Sequence, residues 1–193
     1  MKSDRMFTEI INGLSLTFET ASTSFSPHGC DKGTLAMLSV AEFSSEDKLL
    51  DLGCGYGLVG IYAAKLCGEQ NVVMSDIDEV SINLAKRNAM LNGVGGIETV
   101  YSNGFNGIQD NDFTLILSNP PYHADFSVPK HFIEKGFNRL RVGGKMYMVT
   151  KRKDWYKNKF IAIFGGVKVS EIDGYFIFCA EKRGTQYAAK KHK

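Results

Sequence analysis

The chain has 193 residues, of which 44% are hydrophobic, 23% are charged and four are cysteines. This composition is typical of one globular domain and argues against disorder, collagen-like repeats and disulfide scaffolds. No apolar stretch approaches the roughly 20 residues that cross a bilayer, and the first residues lack the apolar core of a signal peptide. The cysteines form no C-x-x-C pair and no metal-binding spacing with histidine. We therefore expect a cytoplasmic protein with one domain over residues 1–193, without a metal site or a membrane partner.

Basic and acidic residues nearly balance, at 23 and 21, and leave a net charge of +2. This balance neither requires nor excludes a polyanionic partner. The basic residues are unevenly spread, because five fall within Lys151–Lys159 and three within Lys190–Lys193. Such runs are typical of solvated helix faces and chain ends, and they also suit contact with nucleic acid. Both interpretations stay open.

The first element predicted along the chain is a β-hairpin. Two apolar runs, Phe7 to Ile11 and Leu14 to Phe18, flank Asn12-Gly13, the dipeptide that best tolerates the two positive φ angles of a tight turn. Apolar and polar residues alternate in the second run. One face of the hairpin should therefore lie on the domain while the other meets solvent or a substrate.

Strands and helices alternate after residue 46. Five strands are predicted at Lys48 to Leu52, Asn71 to Ser75, about 97 to 101, Phe113 to Leu117 and Lys145 to Val149. Asp173-Gly174 predicts that two last strands, Val167 to Ile172 and Tyr175 to Ala180, form an antiparallel hairpin. The whole pattern predicts an α/β fold: a Rossmann-like, seven-stranded, mostly parallel sheet with helices on both faces, a C-terminal antiparallel hairpin and the N-terminal β-hairpin.

Apolar spacing predicts which residues the helices bury. The first of these helices should turn Leu58, Ile61, Tyr62 and Leu66 inward and end at Gly68. Asp78 is the expected N-cap of the next, which should bury Val80, Leu84 and Leu91 and end at Asn92-Gly93. A third helix face is formed by Phe132, Ile133, Gly136, Phe137 and Leu140.

A glycine-rich turn, Asp51 to Gly57, joins the first of these strands to the first helix. Ligands of open α/β sheets collect at this edge, and glycines let the backbone approach them closely. Gly55 to Gly60 also matches the G-x-G-x-x-G pattern of a dinucleotide site, with Asp76 near the expected ribose-binding position. A nicotinamide-dependent oxidoreductase is therefore one alternative. The extra Gly-Cys pair after Leu52 favours another ligand.

The same turn resembles the first motif of the class I S-adenosylmethionine-dependent methyltransferases. By that resemblance, the cofactor-binding residues would be Asp51, Gly53, Gly55, Asp76, Ile77 and Asn103. The glycine backbone would run along the methionine and ribose parts of S-adenosyl-L-methionine. Asp76 would accept hydrogen bonds from the ribose hydroxyls, Ile77 would pack on the adenine, and Asn103 would face the adenine edge.

A second motif, Ser118-Asn119-Pro120-Pro121-Tyr122-His123, follows the fourth strand. Two prolines delete two backbone donors and extend the chain before them. The Asn119 side-chain oxygen and the Pro120 carbonyl can then converge on one NH₂ group, and Tyr122 can stack on the ring that carries it. We expect Asn119, Pro120 and Tyr122 to be catalytic, with positioning of the amine as their main contribution.

N-P-P-Y resembles the fourth motif of methyltransferases that act on nitrogens conjugated to a planar system, and Asn119 would also border the cofactor. The segment Phe25 to Thr34 further resembles the ribosomal RNA guanine-N2 methyltransferases of the RsmC/RlmG type. By resemblance, Asp31 and Thr34 would close over the methionine end of the cofactor, while Phe25 and His123 would contact substrate. Asp31 could instead simply cap the following helix.

These resemblances imply an N-methyltransferase of ribosomal RNA, acting on the exocyclic N2 amine of a guanine, with residues 1–24 as an extension and 25–193 as the catalytic core. Adenine-N6 methylation of RNA and glutamine methylation of a protein share the motif and remain alternatives, as does an RNA-binding module without catalysis. The named family carries an additional N-terminal domain, and we expect this chain to correspond to the catalytic half alone. Substrate recognition would then rest on the hairpin, the lysine-rich segment around Trp155, or a second subunit in a homo-oligomer.

Overall fold

The computed structural model describes residues 5–20, 30–121 and 125–188. Within these ranges the strands are β1 (Arg5–Ile11), β2 (Leu14–Thr20), β3 (Leu49–Leu52), β4 (Val72–Asp76), β5 (Glu98–Tyr101), β6 (Phe113–Ser118), β7 (Leu140–Thr150), β8 (Lys168–Ile172) and β9 (Tyr175–Glu181). The helices are α1 (Lys32–Val40), α2 (Leu58–Cys67), α3 (Glu79–Leu91), α4 (Ser127–Arg139) and α5 (Asp154–Phe164). No helix in these ranges is both long and apolar enough to cross a membrane.

Strands β1 and β2 form the predicted hairpin. Asn12 and Gly13 take φ angles of 49° and 86°, which is the left-handed pair that a two-residue turn requires. Leu16 and Phe18 are buried, and Ser15 between them and the turn is exposed. The alternation therefore places one face of the hairpin on the domain, as predicted.

Asn88 of α3 and Asn92, the residue that caps its C-terminus, fasten this hairpin. The Asn92 amide accepts from the Thr17 N–H at 3.0 Å and donates to the Thr17 carbonyl at 2.7 Å. One helical turn earlier, the Asn88 amide accepts from the Glu19 N–H at 2.8 Å and donates to the Glu19 carbonyl at 3.0 Å. The side chains thereby take the place of a neighbouring strand on the outer edge of β2. Asn88 also donates to the Tyr56 carbonyl at 2.9 Å, which ties the hairpin to the glycine turn.

The main sheet has seven strands in the order β5-β4-β3-β6-β7-β9-β8. Strands β3 to β7 are parallel to one another, and β9 runs antiparallel to both β7 and β8. Every residue of β3 and β6 is buried, as expected for central strands covered on both faces. Asp173 and Gly174 form the last turn with φ angles of 51° and 77°. The predicted fold class is confirmed.

Helices cover both faces of this sheet. Helices α1, α2 and α3 pack with the hairpin on one face, where Met37, Ile61 and Leu115 belong to one apolar cluster. Helices α4 and α5 cover the other face, where Phe160 stacks on Phe178 with ring centroids 5.7 Å apart. All carboxyl ends of the parallel strands thus open at one edge of the sheet.

Some predicted helix faces are wrong in detail. In α3 Leu84 is buried as predicted, and the rest of the buried stripe is built from Ile82, Ala85, Asn88 and Ala89. Val80 and Leu91 lie off this stripe and are 57% and 46% exposed. The alanines of this stripe pack against the sheet and β2, because the helix lies close to both.

Two further positions differ from the prediction. Leu66, near the end of α2, is 37% exposed rather than buried. Leu140 is buried, but it begins β7 instead of ending α4. Strand β7 is longer than predicted because it continues through an irregularity in the register between Phe113 and Leu115 of β6.

Candidate active site

The glycine turn begins where β3 ends. The N–H groups of Gly53 and Cys54 both donate to the Ser75 carbonyl of β4, at 2.8 and 2.9 Å. Gly53 and Gly55 take φ angles of 76° and 55°, in the left-handed region that favours glycine. A Cβ atom on Gly55 would meet no other atom within 4 Å, and one on Gly53 would meet only Phe132, at 4.0 Å. These two glycines therefore leave space open to a ligand.

Gly57 and Gly60 serve packing instead. A Cβ on Gly60 would lie 2.4 Å from the Met74 side chain, and one on Gly57 would lie 3.1 Å from it. The missing side chains let α2 approach β4 closely. The last glycine of the G-x-G-x-x-G pattern thus explains helix packing and carries no information about the ligand.

Asp51 caps α2 from within the sheet. The N-cap residue Gly57 offers no side chain, and the Gly60 N–H donates to Asp51 Oδ2 at 2.8 Å. The carboxyl group is 3% exposed, and this burial raises its pKa to about 7. The Gly60 bond opposes the shift, while the charge of Asp76 adds to it.

Asp76 closes the other side of the turn. Its carboxylate accepts from the Gly55 N–H at 2.9 Å and from the Asp78 N–H at 3.0 Å. Each of its oxygens keeps a further lone pair. Ile77 and Asn103 lie beside it and are exposed. Asp76 therefore both fixes the turn and offers acceptors at the end of β4.

Asn119 is held by residues from the start of α1. Its Nδ2 donates to Asp31 Oδ1 at 2.7 Å and to Thr34 Oγ1 at 2.9 Å. Asp31 also accepts from the Thr34 N–H at 2.9 Å, so it caps α1 as well. The two roles that the sequence left as alternatives for Asp31, helix cap and site residue, coexist.

A cavity of about 410 Å³ lies over these groups, at the carboxyl ends of the strands. Every predicted cofactor-binding residue lines it, together with Pro120: Asp31, Thr34, Asp51, Gly53, Gly55, Asp76, Ile77, Asn103 and Asn119. The predicted roles of Phe25, Tyr122 and His123 fall outside the described residues. The structure thus brings together, around one cavity, the predicted residues that it describes.

Two buried side-chain oxygens among the described residues have no hydrogen-bond partner, Ser75 Oγ and Asn119 Oδ1. Both belong to residues that line this cavity. Unpaired buried oxygens are costly, at about 1–3 kcal/mol each, and native proteins rarely retain them without a purpose. Their location indicates that a ligand with hydrogen-bond donors completes the site.

Some lining residues were not predicted as site residues from the sequence. Ser102 follows β5, where its hydroxyl donates to the Gly104 carbonyl at 2.9 Å and accepts from the Gly107 N–H at 2.9 Å. Val128 and Phe132 reach the cavity from α4. The signal for Ser102 was its place at a strand's carboxyl end, but the two α4 residues carry only an ordinary apolar pattern.

A second cavity, of about 390 Å³, lies against β7, β8 and β9. Its charged side chains include Glu42 and Lys145, which pair with each other at 2.7 Å. None of the unpaired buried oxygens noted above belongs to a residue that lines it. The cavity at the strand ends therefore remains the candidate active site.

The strand order, the glycine turn after β3 and the Asn-Pro-Pro motif after β6 define a Rossmann-like methyltransferase fold. The chain belongs to the methyltransferase small domain family, whose model matches residues 15–179. This membership confirms the predicted methyltransferase class and favours it over the nicotinamide-dependent alternative.

The chain is similar in sequence to several bacterial proteins. The chain is 30% identical over 172 residues to the uncharacterized protein YbxB of Bacillus subtilis, with 86% of each chain covered. It is 30% identical over 183 residues to ribosomal RNA small subunit methyltransferase C of Serratia proteamaculans, covering 92% of this chain and 52% of the relative. Ribosomal RNA large subunit methyltransferase G of Klebsiella pneumoniae is 26% identical, with 86% and 46% covered.

A solved structure agrees with these relatives. The T. thermophilus 16S rRNA guanine-N2 methyltransferase RsmC, in complex with AdoMet and guanosine, superposes with a TM-score of 0.83 at 25% identity. The superposition covers 93% of this chain and 50% of RsmC. The chain thus spans about half the length of the ribosomal RNA methyltransferases that it matches.

Proposed function

We propose that this chain is an S-adenosylmethionine-dependent N-methyltransferase of RNA, and that its target is the exocyclic N2 amine of a guanine in ribosomal RNA. The names of the ribosomal RNA methyltransferase relatives support the substrate class. The AdoMet and guanosine bound by the RsmC neighbour support the donor and the base. A ribosomal RNA substrate also agrees with the cytoplasmic location expected from the sequence.

The unpaired oxygen of Asn119 is the observation on which the proposal rests. A carboxylate can only accept hydrogen bonds, so the end of the amide that faces Asp31 must be its NH₂ group. The opposite end, Oδ1, is buried and has no partner. An acceptor left in this way suits a substrate that brings an N–H donor, and a guanine amine brings two.

The described residues fit S-adenosylmethionine, which when bound supplies a methyl group on a positively charged sulfur. Gly53 and Gly55 leave room for the ligand along the turn. The remaining lone pairs of Asp76 suit the two ribose hydroxyls, and the exposed side chain of Ile77 suits the adenine face. Asp51, whose pKa is raised to about 7, supplies negative charge to the same cavity when it is ionised.

Asn119 and Pro120 act on the amine. The lone pair of a guanine amine is delocalised into the ring, so the nitrogen is a weak nucleophile. Hydrogen bonds from its two protons to Asn119 Oδ1 and the Pro120 carbonyl would favour a pyramidal nitrogen whose lone pair points into the cavity. These bonds strengthen as the nitrogen becomes positive, which is selective stabilisation of the transition state. One proton then leaves the methylated nitrogen for solvent, and no dedicated base is required.

Three residues outside the described ranges keep the roles that the sequence predicts for them. Tyr122 would stack on the base, and Phe25 and His123 would contact it at the mouth of the site. A target base within a duplex would first have to leave the stack. That two copies of the chain act together as a homo-oligomer stays a prediction from the sequence.

Tritiated methyl transfer from labelled S-adenosylmethionine to ribosomal subunits, transfer RNA and protein fractions, assayed in parallel, tests the proposal. We expect label in ribosomal RNA with the wild-type chain. Asn119→Ala should lower the rate about 100-fold or more, because it removes an acceptor that is aligned for the transition state. Cofactor affinity should persist in part. Label in protein alone would contradict the RNA substrate, and an undiminished rate in Asn119→Ala would contradict the role of the amide.

A further inference from the structure

Beside the active site, four residues form a cluster that we name the α5 rim: Phe126 just before α4, Arg152 and Lys153 between β7 and α5, and Trp155 in the first turn of α5. Phe126 lies two residues before Val128, which lines the cavity. Arg152 and Lys153 follow β7, the parallel neighbour of β6, which ends at Ser118 just before the Asn-Pro-Pro motif. The rim therefore lies at the same edge of the sheet as Asn119.

The rim is an aromatic platform with cations. The rings of Phe126 and Trp155 stack with centroids 4.5 Å apart. The Arg152 guanidinium lies 4.9 Å from the centre of the Phe126 ring, and the Lys153 amine lies 5.1 Å from that of Phe176. Phe126 is 38% exposed, and both cations are exposed. Solvent thus reaches two positive charges and part of the aromatic side chain that orients one of them.

Four other cations among the described residues are paired with carboxylates, unlike those of the rim. Lys48, Arg87, Lys145 and Lys159 each form a salt bridge with a carboxylate. Among the described residues, no carboxylate lies within salt-bridge distance of Arg152 or Lys153. Contact with an aromatic face orients a cation without neutralising it. These two charges therefore remain available to an anion.

The nearby acidic groups offset this charge only in part, because the segment 151–159 has five basic residues and one acid. The Asp125 carboxylate accepts from the Ser127 N–H at 2.7 Å at the start of α4. Asp154 lies in the first turn of α5, where the helix dipole favours a negative charge. Both acids thus serve local helix ends, while exposed Lys151 and Lys157 add further positive charge on the same segment.

We propose that the α5 rim binds the RNA strand next to the target nucleotide, with Arg152 and Lys153 contacting phosphates and the Phe126 ring, stacked on Trp155, orienting Arg152. This inference rests on the proposed function, because it presumes an RNA substrate. Paired cations and aromatic faces are the means by which proteins hold single-stranded RNA. The rim also gives a role to the Lys151–Lys159 run, one of the two clusters whose function the sequence left open.

Fluorescence anisotropy with a labelled RNA hairpin that carries a guanine in its loop tests the rim. Each phosphate contact on a single strand contributes a slope of about −0.7 in log affinity against log salt, or about fivefold at about 0.1 M salt. The double variant Arg152→Gln/Lys153→Gln should therefore bind about 25-fold more weakly, with a slope smaller by about 1.4. Phe126→Leu keeps both charges but removes the ring that orients Arg152, so RNA affinity should fall about threefold at an unchanged slope.

The matched control removes two exposed lysines from other helices, Lys65→Gln/Lys86→Gln on α2 and α3. It has the same net charge as the rim double variant and should keep wild-type affinity and slope. Equal RNA binding by the two double variants, while wild-type protein still methylates RNA, would contradict RNA binding by the α5 rim. The proposed function would still hold. If wild-type protein neither binds nor methylates RNA, this result contradicts both RNA binding by the α5 rim and the proposed RNA substrate.

Discussion

The two ends of the Asn119 amide are similar in size but opposite in hydrogen bonding, because the nitrogen donates and the oxygen accepts. A rotated amide would point its NH₂ group at the substrate amine, donor against donor. Asp31 and Thr34 prevent this rotation by accepting from Nδ2. We regard both as positioning residues for Asn119, a role that the sequence did not predict.

Thr34 offers a test of this positioning. Thr34→Val keeps the shape and removes the hydroxyl that accepts from Asn119, whereas Thr34→Ser keeps the hydroxyl. Thr34→Val should lower kcat about tenfold, the equivalent of one lost hydrogen bond. Its Kd for S-adenosylmethionine should stay near the wild-type value, and Thr34→Ser should restore kcat. A raised Kd with normal kcat would instead make Thr34 a cofactor ligand alone.

Asp51 predicts a pH dependence of cofactor binding. Burial raises its pKa to about 7 in the free protein, so the carboxyl is largely protonated at pH 6 and ionised at pH 8. A cationic ligand binds the ionised form more tightly, so its affinity should rise by about tenfold between these values.

Isothermal titration of S-adenosylmethionine at several pH values measures this effect. Asp51→Asn keeps an acceptor for the Gly60 N–H and cannot ionise, so its affinity should change less with pH. The titration of the ligand's own amine occurs with both proteins and cancels in the comparison. Parallel pH profiles for the two proteins would rule out Asp51 as the source.

At the scale of elements, the hairpin and α3 form one unit with the glycine turn. Asn88 is fully buried and makes three hydrogen bonds to backbone groups of Glu19 and Tyr56. Its truncation would leave these groups without partners in an apolar setting. The same side chain thus supports both the extension and the cofactor side of the active site.

Asn88→Ala should lower the free energy of unfolding by about 3 kcal/mol, the cost of leaving buried polar groups unpaired. Urea denaturation measures this loss of stability, and we expect an unchanged m value. Asn83→Ala is the matched control, because Asn83 is exposed on the same helix and should change stability by less than about 0.5 kcal/mol. Similar midpoints for the two variants would refute the fastening role of Asn88.

The sequence predicts the positions of the strands and helices better than it predicts which of their residues are buried. Asn12-Gly13 and Asp173-Gly174 define their turns locally, because positive φ angles restrict which residues fit. Val80 and Leu91 were misplaced because hydrophobicity alone does not show where small residues such as Ala85 meet the sheet. The amide contacts of Asn88 join residues 69 positions apart, and no local sequence pattern predicts them.

For the whole molecule, the sequence predicted which residues meet at the strand ends, because a parallel sheet collects the loops after its strands at one edge. It could not predict that Asp31 bonds to Asn119, since 88 positions separate them. The chain spans about half of each ribosomal RNA methyltransferase named above. Within this half, the α5 rim is the surface that we propose for contact with the RNA strand.

The central claim is that the oxygens of Asn119 and Pro120 hold a guanine amine for methylation. Its most direct test is mass spectrometry of nucleosides from ribosomal RNA incubated with the chain and S-adenosylmethionine carrying a deuterated methyl group. We predict deuterated N2-methylguanosine with wild-type protein and none above background with Asn119→Ala. Deuterium in N6-methyladenosine or in a ring nitrogen of guanine, with no N2-methylguanosine, would contradict the claim.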